Sequence, residues 1–180
     1  HSQYVAQKTK DAIVDRLRND RRALDPATKS GNYLNSVLGL AEAKDQGATD
    51  CVMVNAFGFV TEASTSNLFA FVDGAWATPA LGDGILAGIT RSLLLQSAAA
   101  MGERVVERHL TAGDLRRADE IFLSSTLRDI GPVTHLDGRA IGDGRAGPRT
   151  SRWSASFLTF VQERLRSHDE PRWRRLVEGG

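Results

Sequence analysis

Two side chains stand out as potential chemical groups. Lys29 follows the Asp25-Pro26 break and carries an amine, which is a nucleophile once it loses its proton. Glu62 closes a short apolar stretch and carries a carboxylate that can take up or release a proton. Taken singly, each has an ordinary reading as a solvated surface charge. His1, His109, His135 and His168 are scattered without metal-ligand spacing, so we expect no metal and surface positions for all four. The glycines at 138, 142 and 144 follow no dinucleotide-binding spacing and read as turn residues, and no Walker loop occurs.

Composition narrows the frame around these groups. The chain has 180 residues, 25% charged and 41% hydrophobic, with a net charge of +1. That is an ordinary globular composition, with no global field toward nucleic acid or membrane. Cys51 is the single cysteine, which excludes an internal disulfide and suits a reducing compartment, so we expect a cytoplasmic protein. No apolar run reaches membrane-span length, and the polar first twenty residues read as no secretory leader. No function is read in His1-Ser2-Gln3.

The elements that must position Lys29 and Glu62 follow from periodicity. Residues 4–22 read as a charged helix, with Val5, Ala12, Ile13, Leu17 and Leu24 as a thin apolar stripe, ended at Asp25-Pro26. Helical spacing of Tyr33, Val37, Leu40 and Ala41 predicts a second helix over 33–44, ended by Gln46-Gly47. Short apolar runs at 51–55, 57–60, 67–72 and 75–78, separated by turn signals, predict paired strands. A helix over 88–101 places Ile89, Leu93, Leu94, Ala98 and Met101 on one face, with Gly102 as its cap. Strands are expected at 104–110, 121–125 and 131–136, with a turn or short helix at 112–115 between the first two. A glycine-rich loop over 138–147 and a last helix over 150–167 complete the chain. The fold class is therefore α+β around a mainly antiparallel sheet.

Several segments, in unbroken order over roughly 25–165, resemble the class IV (fold-type IV) pyridoxal-phosphate (PLP) aminotransferases. Lys29-Ser30-Gly31-Asn32-Tyr33-Leu34 is similar to the segment that bears the family's Schiff-base lysine. Thr61-Glu62-Ala63-Ser64-Thr65-Ser66-Asn67-Leu68-Phe69 resembles the segment around the carboxylate for the pyridine nitrogen. Gly84-Ile85-Leu86-Ala87-Gly88-Ile89-Thr90-Arg91 resembles the start of the phosphate-binding helix. Leu123-Ser124-Ser125-Thr126, followed by Gly131-Pro132-Val133, resembles the second phosphate segment, and Gly147-Pro148-Arg149-Thr150 the start of the final helix. Branched-chain aminotransferases are the nearest match, while D-amino-acid aminotransferases and aminodeoxychorismate lyases share most of the rest.

The resemblance implies the large C-terminal domain of the D-amino-acid aminotransferase-like fold, with a mainly antiparallel sheet or barrel and flanking helices. It implies Lys29 as the catalytic, PLP-bearing residue. Tyr33, Glu62, Leu86, Ile89, Thr90, Ser125 and Thr126 are the further cofactor-binding residues that it implies. Tyr33 has an equal reading as the first core residue of its helix. The implied activity is amino transfer between a branched-chain amino acid and 2-oxoglutarate. The alternatives are a related lyase or D-amino-acid enzyme, or a non-catalytic domain of the same fold. The implied partners are small amino and oxo acids and a second copy in a homodimer, with no nucleic acid and no membrane. The family's smaller N-terminal domain, about a hundred residues long and the source of a phosphate-binding arginine, has no counterpart in the 28 residues before Lys29. Arg16, Arg18, Arg21 and Arg22 are candidates for that arginine, but no motif supports any of them. Residues 1–28 are accordingly expected as an arm or remnant helix, and 29–180 as the PLP-binding domain.

Overall fold

A computed structural model describes residues 9–17, 31 and 33–167. Strand β1 (Thr9–Leu17), helix α1 (Leu34–Asp45) and strand β2 (Asp50–Val54) form a crossover in which β1 and β2 pair in parallel. Ala43 packs with Ala12, Val14, Cys51 and Met53. A Cβ on Gly39 would lie 3.2 Å from the Cys51 sulfur, so a glycine lets the helix approach closely. Strand β3 (Val60–Ala63) returns antiparallel to β2. Strands β4 (Asn67–Val72) and β5 (Ala75–Thr78) form a hairpin around Asp73-Gly74, both with positive φ (54° and 78°), as a tight primed turn requires.

A second crossover follows. Helix α2 (Ile89–Ala100) carries the chain from β5 to strand β6 (Val105–Glu107), which pairs parallel to β5. Short helix α3 (Ala112–Arg116) leads to β7 (Glu120–Ser125), β8 (Asp129–Leu136) and β9 (Arg139–Ala140), and the described chain ends in α4 (Pro148–Ser167). The strand order is β3-β2-β1-β8-β7-β4-β5-β6, with β9 beside β8. The two ends of this sheet approach each other. Phe59, just before β3, bridges to Thr111 beyond β6, and Val60 donates its N–H to the Leu110 carbonyl at 2.7 Å.

The curled sheet thus has an inside and an outside. Leu68, Ala70 and Val72 of β4 pack inward with Val52, Val60, Ile121, Leu123 and Val133. Phe69 and Phe71 point outward to Trp76, Phe122, Leu94 and Ala98, and to Trp153 and Phe157 of α4. Both faces of β4 are covered, which explains its unbroken apolar reading. Trp153 donates its indole N–H to Ser97 Oγ at 3.0 Å, so the ring is buried without a lost hydrogen bond.

Several expectations change in this frame. The helix expected over 4–22 is a strand across its described part, 9–17, and the segment expected as an arm runs inside the sheet, between β2 and β8. Asp11, Ala12 and Val14 are all buried, as two-sided pairing requires, and pairing with distant strands overrides the local helical spacing. The expected mainly antiparallel sheet holds, with five antiparallel strand pairs among the described residues beside three parallel ones at β1–β2, β1–β8 and β5–β6. The strand expected at 57–60 begins only at Val60, because Asn55 Oδ1 accepts the N–H groups of Phe57 and Phe59 and bends the chain. The strand expected at 104–110 shortens to β6, and the loop expected at 138–147 contains β9. Ile89, expected on the apolar face of α2, is 76% exposed.

Candidate functional site

Glu62 is the third residue of β3 and is buried. Its neighbour Thr61 donates a hydroxyl to the Met53 carbonyl at 3.0 Å, which fastens β3 to β2. Ala63 donates its N–H to the Ser66 carbonyl at 2.8 Å, and this tight turn brings Asn67 back beside Glu62. The Asn67 amide donates to Glu62 Oε2 at 3.1 Å and to the Leu86 carbonyl at 2.9 Å. Leu86 in turn donates its own N–H to the same Oε2 at 3.0 Å. One carboxylate oxygen therefore collects two donors from separate segments, which fixes the orientation of the carboxylate.

Leu86 lies on the stretch between β5 and α2, and that stretch is held at both ends. Asp83, buried in a single 3-10 turn (Leu81–Asp83), accepts the Ala80 N–H at 3.2 Å. Its other oxygen lies 2.5 Å from His109 Nδ1, and Phe59 stacks on the His109 ring at 4.3 Å. Asn55 Nδ2 donates to the Asp83 carbonyl at 3.1 Å. Gly84 then takes a left-handed conformation (φ 93°), and Ile85 is buried. Helix α2 starts after Gly88 with no side-chain cap. The first N–H groups of a helix lack internal acceptors, and the helix dipole is positive there, so this end suits an anion.

The third segment joins through the sheet. Asn67 pairs with Ser124 across β4 and β7, so the Ser125-Thr126 turn lies at the same sheet end. Arg128 donates its N–H to the Ser125 carbonyl at 3.1 Å, which closes the turn. The Arg128 guanidinium reaches Asp50 at 3.2 Å, and Asp50 also accepts the Ser64 hydroxyl at 2.5 Å. The Thr126 turn is thereby fastened to β2 and to the residues just after Glu62.

The sequence model described as amino-transferase class IV matches residues 1–136. The chain belongs to the class IV aminotransferases. It is 38% identical over 152 residues to a branched-chain-amino-acid aminotransferase of Pseudomonas aeruginosa, covering 84% of this chain and 48% of that one. It is 40% identical over 142 residues to a D-alanine aminotransferase of Listeria monocytogenes, covering 79% and 49%. Among solved structures, the branched-chain amino acid aminotransferase of Thermobaculum terrenum in its PLP (holo) form aligns with a TM-score of 0.82 at 29% identity, over 89% of this chain and 53% of that one. The chain spans about half the length of these relatives. The family's mixed, curled sheet with flanking helices is the architecture seen here.

For a class IV aminotransferase the residues named from sequence divide clearly. Glu62 and Leu86 touch. Ile89 and Thr90 open α2 directly beyond Gly88, exposed and buried respectively. Ser125 and Thr126 stand at the adjoining turn, half-buried and exposed. Tyr33 immediately precedes α1 and is 44% exposed, which removes its reading as a core residue. Lys29 lies outside the described residues, as do Arg18, Arg21 and Arg22, while Arg16 falls within β1. Among the described residues no group of acidic, histidine or cysteine side chains could hold a metal ion, and no described helix is long and apolar enough to cross a membrane. Sequence reasoning missed Asn67, Asp83 and Arg128 as organisers of the site. Asn67 stood inside a quoted motif, but nothing local distinguishes it from an ordinary strand start. His109, expected at the surface, is exposed and also paired with Asp83.

Proposed function

We propose that this chain is the PLP-binding domain of an enzyme that moves an amino group between a branched-chain amino acid and 2-oxoglutarate. The observation that carries the proposal is the buried carboxylate of Glu62, hydrogen-bonded to the Leu86 segment that leads into the uncapped start of α2. PLP has a basic ring nitrogen, an apolar ring face and a phosphate dianion. A buried carboxylate, a leucine and a helix N-terminus follow in that order along connected segments, so the residues fit the group.

In this reading Glu62 holds a proton on the ring nitrogen. Leu86 lies on one ring face and keeps the ring oriented. The first-turn N–H groups at Ile89 and Thr90 hold the phosphate, with donors from Ser125 and Thr126, and Tyr33 reaches the phenolic oxygen. Bound PLP supplies an electron-poor ring able to take up the electron pair left at a substrate α-carbon. The Lys29 amine takes a proton from that α-carbon and returns one, which requires the neutral amine. Lys29 and Tyr33 rest on the family resemblance.

The domain in this proposal takes in β1 as well as the residues from Lys29 onward, because β1 lies within the same sheet. We propose a cytoplasmic homodimer, in which a second copy covers the exposed Leu34, Val37 and Leu38 of α1. A D-amino-acid substrate is the second reading, favoured by the likeness to the Listeria D-alanine aminotransferase. Borohydride reduction of the protein incubated with PLP, followed by peptide mapping, tests the cofactor. A phosphopyridoxyl group on Lys29 is expected, and its absence defeats the proposal. Turnover with L-leucine against D-alanine, each with 2-oxoglutarate, separates the two substrate readings.

A further inference from the structure

Asn67 has no role in the proposal above, yet three segments of the site meet on it. Its backbone pairs with Ser124, next to the Ser125-Thr126 turn. Its amide nitrogen donates to Glu62 Oε2 and to the Leu86 carbonyl, which uses both of its hydrogens. Its Oδ1 occupies the place where a Cβ on Gly88 would stand. Gly88 has φ −66° and ψ 138°, a conformation open to any residue. The backbone therefore does not require glycine at position 88; the Asn67 side chain does. Asn67 is almost fully buried, so its hydrogen bonds are shielded from water.

The closed triangle of Glu62, Asn67 and Leu86 makes these positions interdependent. Two donors on one oxygen fix the rotation of the carboxylate, and one of those donors belongs to the segment leading into α2. We propose that Asn67 is a positioning residue that holds the Glu62 carboxylate in one orientation and in register with the start of α2. Together they set one spacing between the site for a cationic ring nitrogen and the site for a phosphate. This inference rests on the reading of Glu62 as the partner of the PLP ring nitrogen. Without Asn67, Oε2 loses one of the two donors that hold it, and the Leu86 carbonyl loses its side-chain donor.

The test uses the holoenzyme of the protein that carries this chain, loaded with PLP labelled with ¹⁵N in the ring. Asn67→Leu keeps the volume and removes the donors. Its ring-nitrogen resonance should move toward the unprotonated position, with kcat falling on the order of 10- to 100-fold, the loss of one hydrogen bond to a charged group, and KM changing far less. The Glu62→Gln/Asn67→Leu pair should be little worse than Glu62→Gln alone, because Asn67 acts through Glu62. Asn67→Asp keeps the shape and decides the case if Asn67→Leu does not fold. A second carboxylate beside Glu62 retains a proton to higher pH, so the absorbance titration of bound PLP should shift by on the order of one pH unit. An unmoved ¹⁵N resonance and titration in the Asn67 variants, with Glu62→Gln altering both, overturns the role of Asn67 and leaves that of Glu62 standing. So does a double variant whose losses multiply. If Glu62→Gln also changes neither, the reading of Glu62 fails and this inference with it.

Discussion

The carboxylate of Glu120 on β7 accepts the backbone N–H of Thr150 in the first turn of α4, at 2.7 Å, across 30 positions of sequence. Its second oxygen takes the Arg149 N–H at 3.0 Å. A buried acid on the sheet thus caps the last helix from outside it, where a capping side chain normally comes from the residue before the helix. Glycine at 147 leaves room, since a Cβ there would overlap the Glu120 side chain.

Glu120→Ala should therefore destabilise the fold by about 3–6 kcal/mol, the loss of two hydrogen bonds to a charged group at roughly 1.5–3 kcal/mol each. Gly147→Ala should also destabilise, by forcing the carboxylate away from the helix. Urea unfolding of the variants checks both. A loss in Glu120→Ala below about 0.5 kcal/mol, the range of neutral surface changes, would rule out this cap.

Glu62→Gln should leave PLP bound and reduce turnover by at least on the order of 10²-fold, because a neutral amide does not keep the ring nitrogen protonated. PLP absorbance reports binding, and single-turnover kinetics report the proton transfer. Wild-type turnover in this variant would leave Glu62 with a structural role only.

Cys51 is fully buried in the packing of α1 on β1 and β2. Burial, with Asp50 and Asp11 nearby, pushes its thiol up to about 12. The group stays protonated across the working pH range, and the thiolate is the reactive form. Ellman's reagent at pH 8 should find no reactive thiol in the native protein and one after denaturation. Rapid native labelling would mean that α1 opens readily from the sheet.

Asp114 shapes the acid limb of stability. Its burial raises the carboxyl's affinity for protons, but hydrogen bonds from the Thr111 hydroxyl and N–H, with Arg108 and Arg117 close by, outweigh that and hold it below the usual carboxylate range. A folded pKa below the unfolded one adds stability above about pH 4, and that stability is lost as pH falls through the folded value. Asp114→Asn should lower the melting temperature at pH 7 and flatten its fall on acidification. Asp129 works in the opposite sense, since burial alone raises its pKa. Asp129→Asn should raise the melting temperature at pH 7, because asparagine tolerates the positive φ of 50° and removes a desolvated charge. Calorimetry between pH 3 and pH 8 checks both, and equal slopes in wild type and Asp114→Asn would contradict the first.

Sequence alone determined the elements whose signals are local. Strands β4 and β5 start and stop where their apolar runs and the Asp73-Gly74 turn placed them, and α2 lies between its two flanking glycines. The motif segments around Glu62, Leu86 and Thr126 were also legible, because their residue types stand in unbroken order. Tertiary structure decided what depends on distant partners. Residues 9–17 have a helical spacing of apolar side chains and become a central strand only because β2 and β8 offer hydrogen bonds on both sides. Asn67 reads as an ordinary strand start until Glu62 and Leu86 are brought to it, and Glu120 as an ordinary acid until α4 arrives. Turn chemistry is written in neighbouring residues, whereas a buried hydrogen bond is defined by two groups that only the folded chain brings together.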